Sequence, residues 1–295
     1  MHSDNRNLAD ERRLKKILDF IHKWKGLDLT SYRQNFLFRR LRLRLLNTKV
    51  KDELEYIALL EKGPEEFNLF LDALSINVTE FFRDPDVFSA FSRCALPELI
   101  SRKDSLGNKT LRIWSSACAN GEEAYSLAIL IKEGLKERND FLLRILATDI
   151  DNHALEKAKK GEYKAGELKN IDRQMLKKYF TPMDPVRDTK QLTGSAIVSN
   201  GVDDNYYRVN DQIRQAVKFQ QHNLFNEPPF KCLDVIFCRN VLIYLNRQQI
   251  KELFNKFNRS LNPGGYLVLG KVENVWERDL FVPVELKTKI YQKAG

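Results

Sequence analysis

The stretch that most narrows what this chain can become runs from Leu111 to Leu127, LRIWSSACANGEEAYSL. It opens apolar and β-prone at Leu111, Ile113 and Trp114. Small residues follow from Ser115 to Ala119, then a single glycine, Gly121, then two acids, Glu122 and Glu123, and a helix-forming run from Ala124. That order reads as strand, tight loop and helix start. Glycine and small side chains let a ligand come close to the backbone. An open α/β sheet binds its ligand at this place, off the carboxyl end of a strand.

The loop is wrong for a dinucleotide, whose fingerprint has three spaced glycines and a helix start free to hold pyrophosphate. Here there is one glycine, and two carboxylates stand where phosphate would sit. Acids beside the loop suit a ligand with positive charge and hydroxyl donors. S-adenosylmethionine has both, in its sulfonium, its amino group and its ribose. The plainer alternative is that Glu122 and Glu123 only complement the helix dipole. A second strand, residues 142–148, ends in Asp149-Ile150-Asp151. An acid there can accept hydrogen bonds from ribose hydroxyls, or cap the helix that follows. Both roles can hold, with Asp149 as ligand and Asp151 as cap.

The rest of the chain alternates. Apolar spacing predicts helices over residues 8–24, 31–46, 52–62 and 65–75, a small helical bundle. The stretch 75–85, SINVTEFFRDP, links that bundle to the remainder and leads into a helix over 86–102. Beyond the central loop come helices over 123–137 and 153–160, strands at 217–220 and 233–238, a helix-like Val241 to Leu245, and a helix over 247–260. Residues 262–265 read as a turn, 266–269 as a strand, and Ile290-Tyr291 as an antiparallel edge strand. Residues 161–215 are the least periodic, with a short helix over 172–179 and strand-like pieces near 196–198 and 206–209, the pattern of a small antiparallel insertion. Alternating strands and helices predict a doubly wound α/β sheet. The Glu227-Pro228-Pro229-Phe230 segment precedes the 233–238 strand and reads as loop.

The net charge of +9 is unevenly placed: residues 1–50 hold 13 Lys or Arg against 5 Asp or Glu, a balance of +8, which leaves +1 for all the rest. An arginine stripe at Arg33, Arg40 and Arg44, with Arg39 and Arg42 beside it and no acid among them, predicts an acidic partner or a solvated face. No apolar run is long enough to span a membrane, and the polar start does not look like a signal peptide. The four cysteines, Cys94, Cys118, Cys232 and Cys238, have no C-x-x-C spacing, so no metal site is expected and reduced thiols of a cytoplasmic protein are.

NVTEFFRD at 77–84, the loop at 112–128, ATDID at 147–151, FCRNVLIYL at 237–245 and LNPGGYL at 261–267 together resemble the chemotaxis receptor methyltransferases of CheR type. The resemblance implies a helical domain over 1–75 and a Rossmann-like methyltransferase domain over 76–295, with a β-subdomain inserted at about 164–215. It implies methyl transfer from S-adenosylmethionine to receptor glutamates. Carried over by position, cofactor contacts fall on Asn77, Thr79, Arg83, Glu123, Asp149, Asn223, Leu224, Arg239 and Asn240, with Arg83 and Tyr244 at the transfer step. The basic N-terminal segment would dock chemoreceptor helices, and the subdomain is a candidate for holding a receptor tail. Three departures from the family pattern stand out: Ala119-Asn120, Ala124 and Lys271-Val272. A nucleic-acid methyltransferase and a non-catalytic cofactor-binding adaptor remain as rivals. The nearly neutral catalytic half disfavours the first, and the presence of Arg83 and Tyr244 disfavours the second.

Overall fold

The structure, a computed structural model, describes residues 2–25, 29, 32–74, 79–136, 138–183 and 205–295. Four helices come first: α1 (His2–Lys25), α2 (Gln34–Thr48), α3 (Glu53–Glu61) and α4 (Pro64–Leu74). Leu14, Ile17 and Ile21 of α1, Leu37 and Leu41 of α2, Tyr56 and Leu60 of α3 and Phe70 of α4 close one apolar core. Asp52 caps α3 by accepting from the N–H groups of Leu54 and Glu55. The second helix begins at Gln34, later than the periodicity predicts. Tyr32 is committed elsewhere: it forms a β-bridge with Leu245, and the Arg33 N–H donates to the Tyr244 carbonyl (2.9 Å). Residues 32–33 therefore dock the helical bundle onto the rest of the chain.

Past the linker, Asp84 sits at φ 56° and Pro85 opens α5 (Pro85–Ala90). A π turn, Phe91–Ala95, joins it to α6 (Leu96–Ser105), where one uninterrupted helix was predicted. Pro97 stands at the start of α6 and has no N–H to bond back, so the preceding turn widens.

The rest of the chain then alternates: β1 (Thr110–Ser116), α7 (Glu122–Leu135), β2 (Leu142–Asp149), α8 (Asn152–Lys160), β3 (Glu162–Lys164), α9 (Arg173–Tyr179), β4 (Phe180–Met183), β5 (Tyr206–Val209), α10 (Asp211–Arg214), β6 (Val217–Gln221), β7 (Leu233–Cys238), α11 (Arg247–Ser260), β8 (Leu261–Leu269), β9 (Phe281–Glu285) and β10 (Ile290–Lys293). The large sheet has the order β6-β2-β1-β7-β8-β10-β9, and the small one β3-β5-β4. The first five strands of the large sheet run parallel, and β10 is antiparallel to both its neighbours. Every residue of β7 is buried, as a central parallel strand covered on both faces must be.

Three further predicted elements change. Residues 262–265 are not a turn but part of β8, with Gly264 at φ 67° and a register shift opposite Leu233 and Val235. The turn chemistry is absorbed as a bulge. Ile290-Tyr291 is not at the edge, because β9 pairs outside it; Pro283 within β9 hid that strand. Val241–Leu245 shortens to a 3₁₀ turn, Leu242–Tyr244. The strand predicted near 196–198 lies outside the described residues.

Candidate active site

The loop after β1 is bent by three residues of positive φ: Ala117 (57°), Ala119 (47°) and Gly121 (94°). A side chain at Gly121 would be strained there, and its Cβ would fall 2.8 Å from Ala158 Cβ. The loop is tied to the end of β2. The Cys118 N–H donates to the Thr148 carbonyl (2.9 Å), and the Ala119 N–H to Asp149 Oδ2 (2.8 Å). The other oxygen, Asp149 Oδ1, accepts from the Asp151 N–H (3.0 Å). Burial pushes the Asp149 carboxyl up to about 6, and the backbone N–H groups of Asp151 and Ala119 pull it back. Asp151 caps α8 through the N–H groups of His153 and Ala154, as predicted.

Both glutamates at the start of α7 face inward rather than serving only the helix dipole. Glu122 is 2% exposed, one of its oxygens has no partner, and burial pushes it up to about 7. Thr79 hydrogen-bonds to it. Glu123 accepts from Ser115 Oγ (2.7 Å) and lies 3.3 Å from an Arg239 nitrogen; burial raises its pKa and Arg239 opposes the rise.

Arg239 is a clamp inside the fold. One of its terminal nitrogens donates to the Arg83 carbonyl (2.8 Å) and pairs with Asp84 (2.6 Å), and the guanidinium is almost fully covered. Beside it Asn240 takes φ 60°, with its N–H on Glu273 Oε2 (3.0 Å). Glu273 also accepts from the Gly270 N–H (2.7 Å) and, through Oε1, from the Leu242 N–H (2.7 Å). One buried carboxylate thus shapes the turn that presents Tyr244. Gly270 is required there, since a Cβ would lie 2.8 Å from Glu273 Oε2 and 2.9 Å from the Asn240 nitrogen.

Thr79, Arg83, Glu123, Asp149, Arg239, Asn240 and Tyr244 line one cleft at the carboxyl edge of the sheet. Asn223 and Leu224 line an adjoining lobe that shares Tyr32, Ala117, Asp149, Ile150 and Val241 with it. Asn77 lies outside the described residues. Sequence reasoning missed Tyr32, which belongs to the helical bundle. Its hydroxyl is pushed up to about 12 by burial and by the charge of Asp149. It also missed Val241 and His222, whose neighbours it named.

The predicted arginine stripe is not one surface. Arg44 makes two hydrogen bonds to Glu66 (3.0 and 2.6 Å), which also accepts from the Tyr56 hydroxyl (2.9 Å), so it is taken up inside the bundle. Arg33 Nε donates to the Leu245 carbonyl (2.9 Å), a contact between the two halves of the chain. Arg40 lies over the Phe36 ring at 5.5 Å, and Phe36 packs on Tyr244 with centroids 4.7 Å apart. Burial raises the Tyr244 pKa, and Arg40, Arg83 and Arg39 oppose that rise.

The donor set carries both signs of charge. Asp149 and Glu123 line the cleft with Glu122 buried behind them, Arg83 and Arg239 line it too, and Arg40, Arg83 and Arg39 act on Tyr244. Such a site fits S-adenosylmethionine: carboxylates for its cationic groups and ribose hydroxyls, and an arginine for its own carboxylate. It does not fit a polyphosphate, which the acids would repel. Among the described residues no cluster of His, Cys, Asp or Glu could hold a metal ion.

Comparison with known proteins agrees in one direction. Residues 77–290 match the family described as "CheR methyltransferase, SAM binding domain", and residues 12–75 match "CheR methyltransferase, all-alpha domain". A chemotaxis protein methyltransferase of Borreliella burgdorferi is 31% identical over 89% of this chain and 88% of its own length. Those of Listeria innocua (31%; 85% of each chain) and Salmonella typhimurium (32%; 88% of this chain, 83% of that one) are similar to the same degree. Among solved structures, the N-methyltransferase NodS of Bradyrhizobium japonicum, in complex with S-adenosylhomocysteine, covers 61% of each chain at 16% identity with a TM-score of 0.29, which adds nothing to the family match.

Proposed function

The chain belongs to the CheR methyltransferase family, and from that premise we propose that it transfers the methyl group of S-adenosylmethionine to glutamate carboxylates of chemoreceptors in the cytoplasm. The observation that carries the reading is the Tyr244 hydroxyl. It lines the same cleft as Arg83, Asp149 and Glu123, with Arg40, Arg83 and Arg39 near enough to oppose the rise in its pKa. The arginines suit an anionic acceptor and the carboxylates a cationic donor. Among the described residues no helix is long and apolar enough to cross a membrane.

When bound, the cofactor supplies an electrophilic methyl on a sulfonium. A glutamate carboxylate, with an ordinary pKa of about 4.3, is already a nucleophile at neutral pH. No general base is needed, and the cleft needs no catalytic histidine. What the chain supplies is orientation, which can contribute roughly 7–11 kcal/mol in favourable cases. Arg83 aligns the acceptor carboxylate, with its backbone fixed by Arg239. Tyr244 donates a hydrogen bond beside it. Asp149 and Glu123 hold the cofactor's ribose and cationic groups, with Thr79, Asn223, Leu224 and Asn240 around them.

The docking surface is proposed to be the side of α2 that carries Arg39 and Arg40. There Arg39 lines a second cleft with Phe36, Ile243 and Tyr244. Arg44 is left out, being held by Glu66. The test offers methyl-labelled cofactor with a purified chemoreceptor cytoplasmic fragment, total RNA and duplex DNA in parallel. Label should enter the receptor fragment alone; label in nucleic acid would replace this reading with that of a nucleic-acid enzyme.

A further inference from the structure

The inserted subdomain reaches the cleft at two places that the chemistry above does not use. The first is the linker. Asn170, in the turn before α9, donates through Nδ2 to the Phe81 carbonyl (3.0 Å). The Phe81 ring is fully buried, edge-on to Tyr163 of β3 (4.8 Å) and Phe180 of β4 (5.5 Å). Lys169 adds an exposed ion pair to Glu80 (2.9 Å). Two residues beyond Phe81 comes Arg83, whose N–H donates to the Glu80 carbonyl (3.3 Å). The second place is the cofactor loop. The Tyr163 hydroxyl donates to the Asn120 carbonyl (2.6 Å), next to the Ala119 N–H that holds Asp149.

We propose that the inserted subdomain positions both halves of the reaction through separate contacts: Asn170 sets Arg83 through the Phe81 carbonyl, and Tyr163 sets the Asp149 loop through the Asn120 carbonyl. Neither is a catalytic residue; each is a positioning residue. The two contacts differ in what they govern. Arg83 faces the acceptor, so loosening the linker slows transfer. The loop holds the carboxylate assigned to the ribose, so loosening it weakens cofactor binding. The exposed Lys169–Glu80 pair contributes little in either respect, as surface pairs do.

The inference rests on the assignment of Arg83 to the transfer step, and the test separates the two. Single-turnover methylation of a receptor fragment at saturating cofactor gives the rate, calorimetry with S-adenosylhomocysteine gives the affinity, and thermal melting monitors the fold. Asn170→Ala and Asn170→Asp both remove the N–H donor, and each should slow transfer about tenfold with affinity within about twofold of wild type. Tyr163→Phe keeps the ring on Phe81 and removes only the hydroxyl. It should weaken S-adenosylhomocysteine about tenfold and leave the saturated rate within about twofold. Lys169→Ala should change neither. Asn170 variants that transfer at the wild-type rate would overturn the inference. So would variants whose rate, affinity and melting temperature fall together, since that marks a general structural role. If Arg83→Ala is slow while the Asn170 variants are fast, this inference alone fails. If Arg83→Ala is itself as fast as wild type, the Arg83 assignment fails and takes the inference with it.

Discussion

Asp149 carries two backbone N–H groups and is buried, yet its carboxyl is raised from 3.8 to about 6. Desolvation outweighs the hydrogen bonds. A carboxyl raised on folding adds stability below pH 3.8 that is lost as pH rises through about 6. A cofactor whose hydroxyls need the charged form behaves in the opposite sense. S-adenosylhomocysteine affinity should be level above about pH 6 and fall roughly tenfold per unit below it. Calorimetry from pH 5 to 8 checks this, and Asp149→Asn should flatten the step; a wild-type profile without a step removes the carboxylate from the ribose contact. The place of Asp149 on the cleft was readable, because the end of the second strand of such a sheet lies at the ligand edge. Tyr32 was not readable. Its own segment looks like the start of a helix, and only the tertiary bridge to Leu245 brings it to the cleft. Arg239 was readable as a site residue but not as a clamp. Its partners, Asp84 and Glu123, are distant in sequence.

At the scale of elements, the turn Leu242–Tyr244 owes its shape to Glu273. Three N–H groups converge on this one carboxylate. Burial raises its pKa and those N–H groups restrain the rise. Glu273→Ala would leave the donors unmet and should cost roughly 3 kcal/mol of stability. Urea unfolding measures the loss. Glu273→Gln, which keeps one acceptor oxygen, should recover part of it; an alanine variant as stable as wild type would show that the turn is set by Leu242 packing instead. The periodic elements were legible before the structure, β1, α7, β2 and β7 above all, because their buried positions leave apolar stretches at strand or helix spacing. The irregular ones were not. A proline inside β9 and a glycine bulge inside β8 carry turn signals that the sheet overrides. Lys271, where the family pattern differs, pairs at the surface with Asp86 (2.8 Å), away from the three N–H groups.

At the scale of the whole molecule, the charge imbalance was visible as a number, but not which arginines are spent inside. Glu66, on a different helix, takes Arg44 out of the docking surface. Replacing Arg39 and Arg40 together by Ala should raise the apparent KM for receptor fragment far more than it lowers kcat, with cofactor affinity little changed. Added salt should mimic the change, since exposed charges are screened over about 10 Å at 0.1 M. A double variant with a normal KM at low salt would make that side of α2 an inert surface. The central claim is narrower than docking: it concerns the bond that is made. A receptor fragment labelled by this protein with methyl-labelled cofactor should release its label as volatile methanol on brief treatment with alkali, because a glutamyl methyl ester hydrolyses there. Label that stays on the protein through alkali would show a bond other than an ester and contradict the account.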